Sequence, residues 1–265
     1  MSKKNSLSYN YIKKLHWIFK TQIGIDPLKL LKSLKNLFKF LKHYFYFKKN
    51  YKGEIELKPC LQDYNDSAGN QNSEYFIQDL FTSQYIFDEK PKTLLDIGSR
   101  IDGYILAVAS FRNLDVMDTR PIKKIIKNVN FIQQDLLNPK LNQLNKYDLV
   151  TCLHTIEHIG LGRYGDILDV DGPKKALKNI SLLLKKNGKL IISTPVGKDK
   201  ILFNSNIIFE PKKILNLLEE NNFSIIEIYI INRSSELLKI DDIDSFLKYK
   251  EFFYNLTILV CRKIS

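Results

Sequence analysis

An α/β fold built on a mostly parallel, Rossmann-like sheet is predicted by three observations. The first is the run TLLDIGSRIDGY at residues 93–104, where a short apolar strand ends in Asp96, Gly98 and a polar loop before a helical pattern at 104–111. A chain that leaves a strand's carboxyl end and turns tightly in this way builds the ligand crevice of a parallel sheet. The second is a series of acids at later strand ends: 113–117 reads as a strand closing on Asp118, and 129–132 as one closing near Asp135. The third is a fourth strand, 147–153, that runs into HTIEHIGLGRYGD at 154–166.

The remaining elements follow in order. Residues 71–88 read as a helix that closes the crevice before strand 1. Residues 171–186 read as a helix, 189–193 as strand 5 and 211–221 as another helix. Residues 223–231 and 255–262 are expected as an antiparallel pair, strands 6 and 7. Between them, 234–248 passes from acidic to basic and is expected to be a helical insert that could cover the crevice.

The acids carry a ligand argument. Asp118 stands about 20 residues beyond Gly98, the separation at which a carboxylate can accept hydrogen bonds from both hydroxyls of a ribose. Asp135 stands where a group would face an adenine amino group. Asp96, Gly98, Asp118 and Asp135 are therefore candidate contacts to an adenosine-containing cofactor.

Two sequence units are expected: a helical extension over 1–53 and a catalytic-type domain over 54–265. The chain's net charge of +12 falls entirely in the first, which holds thirteen lysines, no arginine and one acid, Asp26. Asp26 followed by Pro27 is a helix start, an N-cap acceptor before a proline in the first turn. Beyond it, Leu30, Leu31, Leu34, Leu37, Phe38, Leu41, Tyr44 and Phe45 share one face, and Lys29, Lys32, Lys35, Lys39 and Lys42 lie opposite. Lysine at that frequency excludes an ordinary membrane span. A basic amphipathic helix over 28–47 suits an anionic membrane surface. It also suits packing on the catalytic-type domain or on a second subunit, as in a homo-oligomer. Nucleic acid is the least favoured partner, because the helix offers no arginine and no recognised nucleic-acid module accompanies it.

Three cysteines, Cys60, Cys152 and Cys261, are too few and too scattered for a disulfide framework. Cys152 and Cys261 sit in apolar strand patterns and are expected to be buried thiols. No secretory signal is apparent. The expected location is cytoplasmic, with a peripheral position on the inner membrane face if the helix binds lipid.

The runs LDIGSRIDGY, HTIEHIGLGRYGD and STPVGKDKILFNSNIIFEP, spanning about 94–211, carry a resemblance. The chain resembles class I S-adenosylmethionine-dependent methyltransferases. More closely, it resembles an uncharacterised methyltransferase-like family of bacteria and nematodes known as a domain of unknown function. The resemblance implies a seven-stranded sheet with strand 7 antiparallel and S-adenosylmethionine as cofactor. It also implies methyl transfer, with O-methylation of a sugar or other small polar acceptor in surface-glycan biosynthesis as the expected context. The chain departs from the usual pattern after Gly98: Arg100 and Asp102 stand where most such proteins carry further glycines. Arg100 is accordingly a candidate to grip the cofactor's amino-acid carboxylate or an acidic substrate. Two other classes stay open, a non-catalytic cofactor-binding or scaffold protein of a glycan-assembly complex, and an NAD-dependent enzyme.

A hydroxyl acceptor needs a base to take its proton. Two of the chain's four histidines, His154 and His158, flank Glu157 at the end of strand 4. One histidine is expected to act as base and Glu157 to orient it. Arginine is scarce here, six against 35 lysines, and its planar fork suits carboxylates. Arg100, Arg120 and Arg163 all fall in loops after strands. Arg163, Asp166, Asp169 and Asn204 are expected to hydrogen-bond a small-molecule or glycan substrate. His154, His158, Asp166, Asp169 and Asp171 could in principle hold a divalent ion, but magnesium prefers oxygen and no compact zinc spacing appears, so no metal is expected.

Overall fold

The computed structural model describes residues 15–264 except 70, 72, 139, 141, 142 and 233. The chain divides into two compact units, residues 1–70 and 71–265. In the first, helix α1 (Pro27–Asn50) begins where the composition requires: Asp26 accepts hydrogen bonds from the backbone N–H of Leu28 and Lys29, and Pro27 fills the first turn. The unit extends past the helix because the chain folds back on it. Asn36 donates to the Leu61 carbonyl, the Tyr64 hydroxyl meets His43, and the Lys39 ammonium sits over the Tyr64 ring.

The second unit is a three-layer α/β sandwich. Its sheet has eight strands in the order β3-β2-β1-β4-β5-β10-β8-β9. These are β1 (Leu94–Ile97), β2 (Leu114–Asp118), β3 (Val129–Gln133), β4 (Tyr147–Leu153), β5 (Leu184–Val196), β8 (Phe223–Ile231), β9 (Leu237–Ile240) and β10 (Asn255–Lys263). A separate hairpin is made by β6 (Lys200–Leu202) and β7 (Asn206–Ile208). The first five strands of the sheet are parallel, and β10 runs antiparallel between β5 and β8.

Strand alternation decides which helices cover which face. Leu95, Ile97, Val150, Cys152, Leu190 and Ile192 point to one side, where helices α4 (Gly172–Leu183), α5 (Pro211–Glu219) and α6 (Ile243–Leu247) seal them with Leu177, Ile180, Ile214, Leu218 and Phe246. Leu94, Val116, Leu149, Ile258 and Val260 point to the other, under helix α2 (Glu74–Glu89) and the short helix α3 (Leu106–Ala109). Cys152 and Cys261 are buried free thiols, as their apolar surroundings predict, and Cys60 is exposed.

The fold expected from the sequence holds, with one strand more in the sheet and a separate two-stranded hairpin. Residues 237–240 form the edge strand β9, pairing antiparallel with 228–231, and only 243–247 of the expected helical insert are α-helical. The turn was hard to read because it is made by a side chain: Asn232 accepts from the backbone N–H of Ser234 and of Glu236. The added strand covers the otherwise open edge of β8.

Candidate functional site

The order 3-2-1-4-5 puts a chain reversal between β1 and β4, the place at the strands' carboxyl ends where sheets of this kind hold ligands in a crevice. The two loops that form it touch. Gly98 has φ +77°, and a Cβ there would stand 2.5 Å from Thr155 Cγ2, so both the left-handed turn and the close approach require glycine.

The β1 and β2 side of the crevice is lined by carboxylates. Asp96 is wholly buried and serves inside the turn: its carboxylate accepts from the Ser99 N–H (3.1 Å), the Ser99 hydroxyl (2.8 Å) and the Thr151 hydroxyl (2.7 Å). Burial pushes Asp96 up to about 7 in spite of these donors. Asp118, at the end of β2, is met by Arg120, whose Nε lies 3.0 Å from one carboxylate oxygen and whose Nη2 lies 2.5 Å from the other. The same Nη2 reaches the Gly98 carbonyl at 3.3 Å. Asp135 follows β3 and holds its own turn through the Leu137 N–H at 2.9 Å. Arg100 is exposed and engaged bidentately by Asp102, at 2.9 and 2.6 Å.

The β4 side is built differently. His154 has φ +49° and is nearly buried, its backbone N–H hydrogen-bonded to the carbonyl and hydroxyl of Ser193. Its Nδ1 donates to Glu157 Oε1 at 2.7 Å, its Nε2 lies 3.5 Å from Glu74 Oε1, and Tyr75 stacks on its ring at 4.5 Å. Burial works against charge on the imidazole, but the two carboxylates outweigh it and raise His154 to about 9. His154 is thus an imidazolium at neutral pH. Glu74 is further held by the Tyr254 hydroxyl at 2.7 Å, and Glu157 is fully buried with Thr194 beside its second oxygen.

His158 is set the opposite way. Its Nδ1 donates to the Ser205 carbonyl at 2.7 Å, which leaves Nε2 as the nitrogen with a free lone pair. Burial lowers its pKa below the ordinary 6.5, and the Arg163 guanidinium, whose Nη1 is 3.3 Å away, adds to the effect against the pull of Glu157. Arg163 also donates to the Ser205 carbonyl at 2.9 Å. The Tyr164 ring is within reach of two guanidiniums, 4.8 Å from Arg120 and 5.2 Å from Arg163, and so touches groups from both sides.

The sequence-predicted residues therefore separate. His154, Glu157, His158 and Arg163 come together, and Gly98 and Asp118 meet across Arg120. Asp166 turns inward, accepting from the N–H groups of Gly160, Gly162 and Tyr164, and holds the glycine-rich loop in shape. Asp169 pairs with Lys175 at the start of α4. Asn204 sits at the exposed tip of the β6–β7 hairpin, next to the Ser205 carbonyl that the site uses. Among the described residues, no three His, Cys, Asp or Glu side chains gather as a metal site. The sequence reading missed Glu74, Tyr75, Tyr254 and Ser205. The acidic and aromatic start of α2 was a usable signal for the first two, and no signal pointed to the others.

A family model described as "Caenorhabditis protein of unknown function, DUF268" matches residues 104–264. No curated protein matches the chain in sequence. Among solved structures, the chain is similar to the [4+2]-cyclase SpnF, with TM-score 0.50, 13% identity, and 74% of this chain and 86% of that one covered. It is equally similar to the N-methyltransferase NodS from Bradyrhizobium japonicum WM9, with TM-score 0.50, 12% identity, and 74% and 100% covered. The fold is that of the class I S-adenosylmethionine-dependent methyltransferases.

Proposed function

The chain belongs to the DUF268 family, and we propose that it is an S-adenosylmethionine-dependent methyltransferase acting on a hydroxyl of a small polar acceptor, a sugar of a surface glycan being the class that the sequence resemblance suggests. The observation that carries the reading is the 2.7 Å contact between His158 Nδ1 and the Ser205 carbonyl. An uncharged imidazole at the end of β4, with Nδ1–H committed to a main-chain carbonyl, leaves Nε2 to receive a hydroxyl proton.

The residues present fit the cofactor. Asp118 already accepts two parallel donors from Arg120, one on each oxygen, which is the pattern that the two hydroxyls of a ribose would offer. Asp118, Asp135 and the Gly98 turn would hold the adenosine part, and Arg100 its carboxylate. Bound there, the cofactor supplies an electrophilic methyl group on a sulfonium.

The chain's own groups then have distinct tasks. His158 Nε2 takes the acceptor proton. The His154–Glu157–Glu74 cluster keeps the β4 loop in place through buried charge pairs, so that His158 stays aimed. Burial, helped by Arg163, keeps the base uncharged, and Arg163 offers its remaining N–H groups to an acceptor oxygen. The Tyr164 ring covers the crevice against water.

Calorimetric titration with S-adenosylmethionine, S-adenosylhomocysteine and NAD tests the reading. Micromolar binding of the sulfur cofactors and none of NAD is expected. NAD binding without either sulfur compound overturns it. Comparing surface glycans with and without the gene tests the acceptor, and the expected difference is the loss of a methyl ether.

A further inference from the structure

Helix α1 carries three faces where the sequence suggested two. Ser33, Asn36, Leu37, Phe40 and Tyr44, spaced at three and four residues, are partly or fully covered. A second row, Leu30, Leu31, Leu34, Phe38, Leu41 and Phe45, lies beside it and is exposed, with Phe38 77% and Leu31 64% accessible. The third row is Lys32, Lys35, Lys39 and Lys42, on a helix of seven lysines and no acid. The need to bury an apolar face is thus met by the first row, and the second remains a stripe of large side chains that is exposed among the described residues.

We infer that this stripe binds the surface of an anionic lipid bilayer. The charge pattern favours that occupant. A second copy of the helix would bring seven more lysines against these seven. Nucleic acid would take the lysines and leave the stripe in water. A bilayer satisfies both rows, and the spacing suits it. Lys35, Lys42 and Lys49 each stand four residues after Leu31, Phe38 and Phe45, so each ammonium can reach back to the phosphate level while the apolar tip enters the acyl boundary. Exposed Tyr46 and Phe47 add aromatic weight at the carboxyl end. No helix among the described residues is long and apolar enough to cross a membrane, so the contact is interfacial. The inference does not depend on the methyltransferase reading.

Flotation of the full chain with phosphatidylcholine vesicles, with and without phosphatidylglycerol, tests it. Flotation with the anionic vesicles alone, reversed by salt, is expected. Replacing Lys35, Lys42 and Lys49 by Gln should lower partitioning about a hundredfold, because each lysine near the surface is worth about fivefold. Leu34→Ser with Phe38→Ser should lower it roughly tenfold or more. All these positions are exposed, so unchanged circular dichroism is expected of each variant. A chain that stays unbound with anionic vesicles overturns the inference, as does equal flotation with neutral vesicles or wild-type partitioning of both variants. A lipid-free dimer that Phe38→Ser splits, seen by sedimentation, would assign the stripe to a second copy and likewise overturn it.

Discussion

The two sides of the crevice handle charge in opposite ways. On the β2 side, Asp118 is matched by an exposed guanidinium that can swing away, since Arg120 is 42% accessible in its side chain. On the β4 side, Glu157, His154 and Glu74 are matched by one another in a buried cluster. A displaceable partner marks a place where a ligand can take over the hydrogen bonds. A mostly buried set held by its own opposite charges marks a scaffold. His158 lies on the margin of that scaffold as its uncharged member, which is what a base requires.

The largest expected break in this contrast is His158→Ala. It should lower the rate of methyl transfer about a hundredfold or more while leaving the affinity for S-adenosylhomocysteine unchanged. In the wild-type chain, the rate should rise with pH through a midpoint below 6.5, because the base works when unprotonated and its pKa is lowered. A midpoint above 7 would mean that another group is titrating.

Glu157→Ala should follow, with a loss of stability of about 3 kcal/mol, because it leaves a buried imidazolium with half of its counter-charge. The melting temperature should drop by roughly 6–12 °C. Raising the folded pKa of His154 to about 9 gives stability that is fully present below its ordinary 6.5 and is lost as pH rises through 9. The wild-type melting temperature should therefore decline between pH 6.5 and 9, and that of the variant should be flatter over the same range.

Smaller effects belong to the other side. Asp118→Asn should weaken S-adenosylhomocysteine binding roughly tenfold by calorimetry, since it replaces a charged acceptor with a neutral amide. Arg120→Gln should do the reverse and tighten binding roughly threefold, a modest gain because the guanidinium it removes is partly exposed and screened by solvent. Weaker binding in Arg120→Gln would make the arginine a ligand contact and not a stand-in for one.

Much of this was legible in the sequence, and the reason is local. Gly98 and the acids at successive strand ends are set by hydrophobic runs a few residues long, and the runs can be read directly. The same holds for Asp26 and Pro27 at the start of α1. What escaped depends on residues brought together from afar. Tyr254 reaches Glu74 across 180 positions, and Ser205 reaches His158 across 47. Asp166 shows the converse error: an acid in a glycine-rich loop looks like a ligand contact, but its carboxylate is spent on three N–H groups of that loop. The single apolar face read on α1 divided because Leu37 and Tyr44 turn to the covered side while Phe38 and Phe45, one position on, do not.

The atom that fixes the tautomer of His158 is a main-chain carbonyl. No substitution at position 205 that keeps the backbone path removes it, so point mutation is a poor instrument for retuning this histidine. Length is the better one. Adding or deleting a residue in the β6–β7 hairpin would carry the Ser205 carbonyl away and free the ring to invert. Relatives with longer or shorter hairpins would then be expected to present a different nitrogen to the crevice under an unchanged HTIEH run.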